Sequence, residues 1–207
     1  MAGKLSAVNR EAGMPTEIEA KFQVTDPEPL RQALRRLGAE LRRRVLETNR
    51  IFDTPDRRLL NADCGLRIRT ERPLERAARG QSPAATLTYK GPRQAGDLKS
   101  REELEVCVSD AGGLADILAR LGFRPVIVYE KRRETWHIGA CEVSLDELPR
   151  LGWWLEVEGP DAATVELVIR QLGLADTPPI RQTYVEMAAA HGDKDADVCR
   201  LLFGGQG

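Results

Sequence analysis

The sequence predicts an α+β protein in which antiparallel strands close into a barrel around a charged channel, with helices packed outside. Three observations carry this expectation. Segment after segment alternates charged and apolar residues with a period of two, the pattern of strands with two unlike faces. Three stretches at helical spacing each end in a leucine followed by a glycine. The charged strand faces are almost purely ionic, whereas half-buried strands ordinarily scatter mixed polar residues outside. Closure would turn the apolar faces outward under helices and the charges inward, and would remove sheet edges. Read from the pattern alone, the alternative is a salt-bridged surface.

The first strand is Glu17-Ile18-Glu19-Ala20-Lys21. Glu17, Glu19 and Lys21 share one face, and the two carboxylates, about 7 Å apart, can reach a single hard cation. Lys21 can hold an anion that the cation also binds. Asp26-Pro27-Glu28-Pro29 starts a helix, whose stripe Leu30, Ala33, Leu34 and Leu37 stops at Gly38. Arg42–Phe52 reads as a strand closed by the turn Asp53-Thr54-Pro55-Asp56. Leu66–Thr70 places Arg67 and Arg69 on one face, and Glu71–Pro83 reads as a surface excursion. Thr86–Lys90 ends at Gly91-Pro92. In the next strand Arg101, Glu103 and Glu105 oppose Leu104 and Val106.

Leu114–Leu121 is a second helix, stopped by Gly122. Strands are expected at Val126–Ile138, Ala140–Asp146 and Trp153–Glu158, then a helix at Ala162–Leu172 and a last strand at Arg181–Met187. The folded unit is therefore expected over 15–190. A mobile polar segment over 1–14 precedes it, and a tail over 191–207, with the composition of a short helix, follows. The aromatic residues Trp136, Trp153 and Trp154 read as packing, and Tyr184 is open between packing and the channel.

At 207 residues the chain is long enough for one good-sized core. Its 31 basic and 32 acidic residues leave a net charge of −1, which argues against a general nucleic-acid or membrane-surface binder. Cys64, Cys107, Cys141 and Cys199 lie far apart without a CxxC pair, so zinc and redox chemistry are not expected and a reducing cytoplasm is. No apolar run suits a signal peptide or a membrane span.

Clustered cations suit phosphate oxygens, and clustered carboxylates suit Mg²⁺ or Mn²⁺ bridging phosphates. Charges inside a channel must be paired, hydrated or ligand-bound, because buried ions cost several kcal/mol each. A mixed channel therefore implies a polyphosphate bound with a metal.

Seven motifs fall in a recognisable order: ExExK (Glu17, Glu19, Lys21), LRIR (66–69), LTYKGP (87–92), REELEV (101–106), EKRRETW (130–136), SLDELPRLGWWLEVEG (144–159) and RQTYVEM (181–187). Together they resemble the CYTH family, the triphosphate tunnel metalloenzymes that include class IV adenylyl cyclases, thiamine triphosphatases and inorganic triphosphatases. The resemblance implies an eight-stranded closed antiparallel barrel holding a triphosphate and a divalent metal. Carried over motif by motif, Glu17, Glu19, Glu156 and Glu158, with Asp146 alongside, look like the metal-binding acids. Lys21, Arg67, Arg69, Lys90, Arg133 and Arg181 look like the phosphate-holding bases. Arg101, Glu103, Glu105 and Lys131 match positions that orient or bind the substrate. Where the family often has lysine this chain has Arg181, which offers no neutral amine.

The chemistry expected is hydrolysis of the terminal phosphoanhydride of an inorganic or organic triphosphate by a monomer or homodimer. Arg67, Arg69, Lys21 and Lys90 would do the catalytic work, and a pKa lowered by surrounding cations would make Lys21 or Lys90 a base. Two alternatives use the same channel: cyclisation of ATP to cyclic AMP, and non-catalytic binding of polyphosphate or nucleotide.

Overall fold

The computed structural model describes residues 18–75, 84–93 and 101–204. In chain order the elements are β1 (Ile18–Val24), α1 (Glu28–Arg36), β2 (Glu40–Asp53), α2 (Arg58–Asn61), β3 (Gly65–Pro73), β4 (Ala84–Arg93) and β5 (Arg101–Val108). Then come α3 (Ala111–Arg120), β6 (Arg124–Ile138), β7 (Cys141–Leu148), β8 (Gly152–Gly159), α4 (Ala162–Gln171), α5 (Tyr184–His191), β9 (Asp193–Asp195) and β10 (Val198–Leu201). Eight strands make an antiparallel sheet in the order β1-β8-β7-β6-β2-β3-β4-β5, curled into a half-barrel.

The alternation decides which face goes where. Ala20 and Phe22 of β1, Val143 and Leu145 of β7 and Leu155 and Val157 of β8 point outward and pack with Leu34 of α1 and Val165 and Val168 of α4. Phe52 and Ile68 pack with Leu118 of α3 on the other half of the outer surface. The three helices stop as their glycines require: Gly38, Gly122 and Gly173 hold φ of 74°, 89° and 77°. Each is followed by an N–H that reaches back five residues, Ala39 to Leu34, Phe123 to Leu118 and Leu174 to Ile169. These are Schellman closures that return orphan carbonyls to hydrogen bonding.

The sheet is open, which corrects the expected closed barrel. Closure would pair β1 with β5, and among the described residues these edges do not pair. The β1 edge is already engaged. The Lys21 carbonyl accepts from the Ile180 N–H at 2.7 Å, and Lys21 Nζ reaches the Gln182 carbonyl at 3.4 Å. On the opposite edge, Leu104 and Val106 of β5 are about half exposed and lack the expected helix cover.

The stretch Arg181–Met187 is also not a strand. A capping box starts α5 there: Thr183 Oγ1 accepts from the Glu186 N–H at 3.2 Å, and the Glu186 carboxylate accepts from the Thr183 N–H at 2.8 Å. Satisfying two orphan donors locally outweighs the alternation of RQTYVEM. The helix lies in the concavity, where Tyr184, Met187 and Ala188 pack against Tyr129, Leu148, Trp154 and Leu201. The tail forms a hairpin instead of a short helix, with β10 parallel to β6 at Ile127–Tyr129. It fills the part of the β6 edge that β7, pairing only from Arg132 onward, leaves open. The first three residues of the predicted excursion, Glu71, Arg72 and Pro73, still belong to β3, and 76–83 lie outside the described residues.

Leu155→Ala removes a fully buried side chain at the centre of the outer core. It is expected to lower the unfolding free energy by about 3 kcal/mol, measured by urea denaturation.

Candidate active site

Antiparallel register lines up the inward-facing charges in cross-strand rows. Glu19, Glu158 and Glu142 are successive partners across β1, β8 and β7. Lys21 stands opposite Glu156, and Arg133 joins Asp146 to Val45 across β7, β6 and β2. Lys131 faces Glu47, and Arg69 faces Asn49. Ile127, Ile51, Arg67, Thr88 and Glu105 form one row across β6, β2, β3, β4 and β5. The rows surround a cavity of about 590 Å³.

Two fully buried carboxylates hold the basic side chains. Asp146 accepts from Arg133 Nε at 2.7 Å and Nη2 at 2.6 Å, from Lys131 Nζ at 3.2 Å and from the Tyr184 hydroxyl at 2.9 Å. Glu47 stands 3.2 Å from Arg69 Nε and 3.4 Å from Lys131 Nζ. Burial alone would raise the Glu47 carboxyl, but Lys131, Arg69 and Arg133 outweigh it and hold it well below the ordinary range. Glu156 behaves alike: burial pushes it up, and Lys21 with Arg133 pulls it far down. It is hydrogen-bonded to Arg133 Nη2 and lies 3.0 Å from Lys21 Nζ. Tyr184 completes the group, its ring 3.9 Å below Lys21 Nζ and 5.0 Å from Lys131 Nζ. It packs edge-on to Trp154, so Tyr184 serves packing and site together.

The expectation of a lysine base at Lys21 is corrected here. Burial lowers its ammonium pKa, but Glu156 and Glu19 overcompensate and the net shift is upward. Lys131 moves the other way: burial lowers it first, Arg133 adds to that, and Asp146 with Glu47 only partly restores it. Arg67 is also lowered, by burial and then by Arg69. Its Nη2 reaches Thr88 Oγ1 at 3.1 Å, while its buried Nε has no hydrogen-bond partner among the described residues.

Glu19, Lys21, Arg67, Arg69, Lys90, Arg101, Lys131, Arg133, Glu156 and Glu158 all line the cavity. Lys90 Nζ lies 2.7 Å from Glu103, and Arg101 is 3.7 Å from Asp63 at the rim. Asp146 is not part of the lining; it supports Arg133 and Lys131 from beneath. Arg181 is exposed before α5 and also absent from the lining. Glu17 lies outside the described residues.

Glu47, Asn49, Thr88, Tyr129 and Glu142 escaped the sequence reading. The inward face of β2 runs Val45, Glu47, Asn49, Ile51, and such a mixture hides one buried, ion-paired glutamate. Tyr129 was accessible from spacing, since it precedes Lys131 and Arg133 at intervals of two.

A divalent metal fits the acidic side of the cavity by its donor chemistry. Three glutamates directly opposite one another repel, and an all-oxygen set suits a hard cation. Among the described residues no three acidic, histidine or cysteine side chains converge as a complete metal cage. Among the described residues no helix is long and apolar enough to cross a membrane.

A family model described as the CYTH domain matches residues 15–184. A Methanocaldococcus jannaschii protein provisionally named adenylate cyclase MJ0240 is 28% identical over 180 residues, 83% of this chain and 97% of its own. Adenylate cyclase CyaB of Aeromonas hydrophila is 31% identical over 145 residues, 68% of this chain and 67% of its own. Among solved structures, the Hippeastrum protein provisionally named adenylyl cyclase HpAC1 is described as revealing a dominant triphosphatase activity. It superposes with a TM-score of 0.59 at 18% identity, covering 84% of this chain and 94% of its own.

A carboxyl with a depressed folded pKa stabilises the fold above its unfolded value, here about 4.5, and loses that contribution as pH falls through the folded value. The unfolding free energy is therefore expected to decline below about pH 4.5. Glu47→Gln should flatten that acid limb and cost about 3 kcal/mol at pH 7 by leaving buried cations unpaired. Denaturant melts across pH 2–7 check both.

Proposed function

The chain belongs to the CYTH family, and from that premise we propose that its cavity binds the triphosphate of a small molecule with Mg²⁺ or Mn²⁺ and hydrolyses the terminal phosphoanhydride. The observation that carries this reading is the buried Nε of Arg67, which has no hydrogen-bond partner among the described residues, in a cavity that Arg69, Lys90, Lys131 and Arg133 also line. A buried guanidinium donor without a partner calls for an anion.

Glu19 and Glu158, direct neighbours on β1 and β8, would hold the metal, which would supply charge neutralisation to the phosphate oxygens. The arginines carry the rest of that task. Arg67 and Arg69 bind the anion in a poorly hydrated site, where preorganised donors stabilise developing charge strongly. Lys21 keeps its proton, fixed between Glu156 and the Tyr184 ring, and contributes positive charge. We assign proton acceptance to Lys131, whose ammonium pKa burial and the neighbouring Arg133 lower. Water attacks the terminal phosphorus, the bond to the diphosphate oxygen breaks, and the proton of water passes to Lys131.

The names of the two relatives favour a second reading, in which the ATP 3′-hydroxyl attacks the α-phosphorus and releases pyrophosphate. The description of the Hippeastrum protein shows that such a name does not fix the chemistry. Pure anion binding is the weakest reading, because it gains nothing from a row of glutamates.

Purified protein with Mg²⁺ or Mn²⁺ is expected to release phosphate from tripolyphosphate, thiamine triphosphate or ATP without cyclic AMP. Cyclic AMP with stoichiometric pyrophosphate would establish the cyclase instead. Chelation should abolish turnover. Arg67→Ala should lower kcat/KM by about 100-fold while the protein still unfolds cooperatively.

A further inference from the structure

We propose that the Tyr129 hydroxyl is a further catalytic group of this cavity, donating a hydrogen bond to the bridging oxygen that departs with the diphosphate. This rests on the triphosphatase reading and deepens it. Tyr129 lines the cavity, yet the residue is only 3% exposed. Its backbone is paired on both sides, with Asn49 of β2 and Leu201 of β10. Its ring packs in the cluster of Leu148, Trp154, Tyr184, Met187 and Leu201, which fixes its direction. The hydroxyl end lies within electrostatic reach of Lys21, Arg67 and Arg69.

That hydroxyl is unspent. The Tyr184 hydroxyl is committed to Asp146 at 2.9 Å. Asn49, directly beside Tyr129, accepts from Arg69 Nε at 3.0 Å and donates to Glu47 at 3.4 Å. The Tyr129 hydroxyl makes no hydrogen bond among the described residues. A buried donor that faces a cavity without a partner calls for an acceptor on the ligand, and phosphate oxygens are acceptors. Burial raises the phenol pKa and Arg67 with Arg69 only partly reverses this, so the group keeps its proton and remains a donor.

Register places this donor between the two groups that the reaction uses. Residues on one face of a strand recur every second position, about 7 Å apart. Ile127 shares its row with Ile51 and Arg67, Tyr129 shares its row with Asn49 and Arg69, and Lys131 shares its row with Glu47 and Glu71. Tyr129 therefore stands in the row between that of Arg67, which binds the anion, and that of Lys131, which accepts the proton. Water beside Lys131 attacks the terminal phosphorus from the side opposite the bridging oxygen, and the remaining phosphates extend toward Arg67. The bridging oxygen then falls in the Tyr129 row. As its bond to the terminal phosphorus breaks, the electron pair stays on that oxygen, and the phenol hydrogen bond stabilises it. The proton of water passes to Lys131, and Tyr129 keeps its own.

The test is Tyr129→Phe, which removes one oxygen and keeps the ring, so its thermal melt should match that of the intact protein. In phosphate-release assays with Mg²⁺, on whichever of tripolyphosphate, thiamine triphosphate and ATP the intact protein turns over, kcat should fall about 100-fold. KM should stay unchanged, because the bond strengthens only as charge develops on the leaving oxygen. If the ring serves packing alone, phenylalanine fills the same space and turnover is untouched. A kcat equal to that of the intact protein therefore overturns the proposal, as does a loss confined to KM, and both leave the triphosphatase reading standing. Failure of the intact protein to release phosphate from any of the three sinks that reading, and this proposal with it.

Discussion

Glu47 and Asp146 lie at the centre of the molecule with no solvent exposure, and the basic side chains around them depend on that pair. A guanidinium or ammonium buried alone would be expelled to solvent or lose its proton. Asp146 holds Arg133 bidentately and Lys131 by one bond, and Glu47 neutralises Lys131 and Arg69 from the β2 side. Neither carboxylate belongs to the lining of the cavity. Their work is to let several cations stay charged and fixed just beneath it, in a medium where each acts on an anion more strongly than in water.

The same network sets the two lysines apart. Lys21 meets Glu156, Glu19 and the ring of Tyr184, and stays protonated. Lys131 is more deeply buried and stands beside Arg133, so its charge is less favoured. Two identical side chains a few residues' width apart on neighbouring surfaces thereby acquire different chemistry. Helix α5 is part of this, since it delivers Tyr184 to both lysines and to Asp146.

The open sheet is consistent with that helix. Residues leading into α5 engage the backbone edge of β1, and α5 itself fills one end of the concavity with Tyr184, Met187 and Ala188. What remains is an asymmetric cleft. Glu19, Glu158 and Glu142 gather on β1, β8 and β7, and Lys131, Arg133, Arg67, Arg69 and Lys90 spread across β6, β3 and β4, with Glu103 and Glu105 of β5 beside them. A cavity lined by both acids and bases suits a metal–phosphate complex, because each charge type then has a partner within the ligand.

The sequence by itself determined the strands with unlike faces, the three helices and their glycine stops, and most of the cavity cations. Period-two alternation and C-terminal glycines are local signals, set by backbone geometry within a few residues. The motif order also carried the family. Only the tertiary structure decided that the sheet stays open, that Arg181–Met187 gives way to a capped helix, and that the tail adds β10 to β6. It alone separated the buried supporting Asp146 from the cavity glutamates, revealed Glu47, and reversed the expected titration of Lys21. Each of these depends on partners distant in the chain: Glu47 finds Lys131, and Lys21 finds Glu156. A pKa or a sheet edge is set by what register and packing bring alongside, and a strand read in isolation does not contain its neighbours.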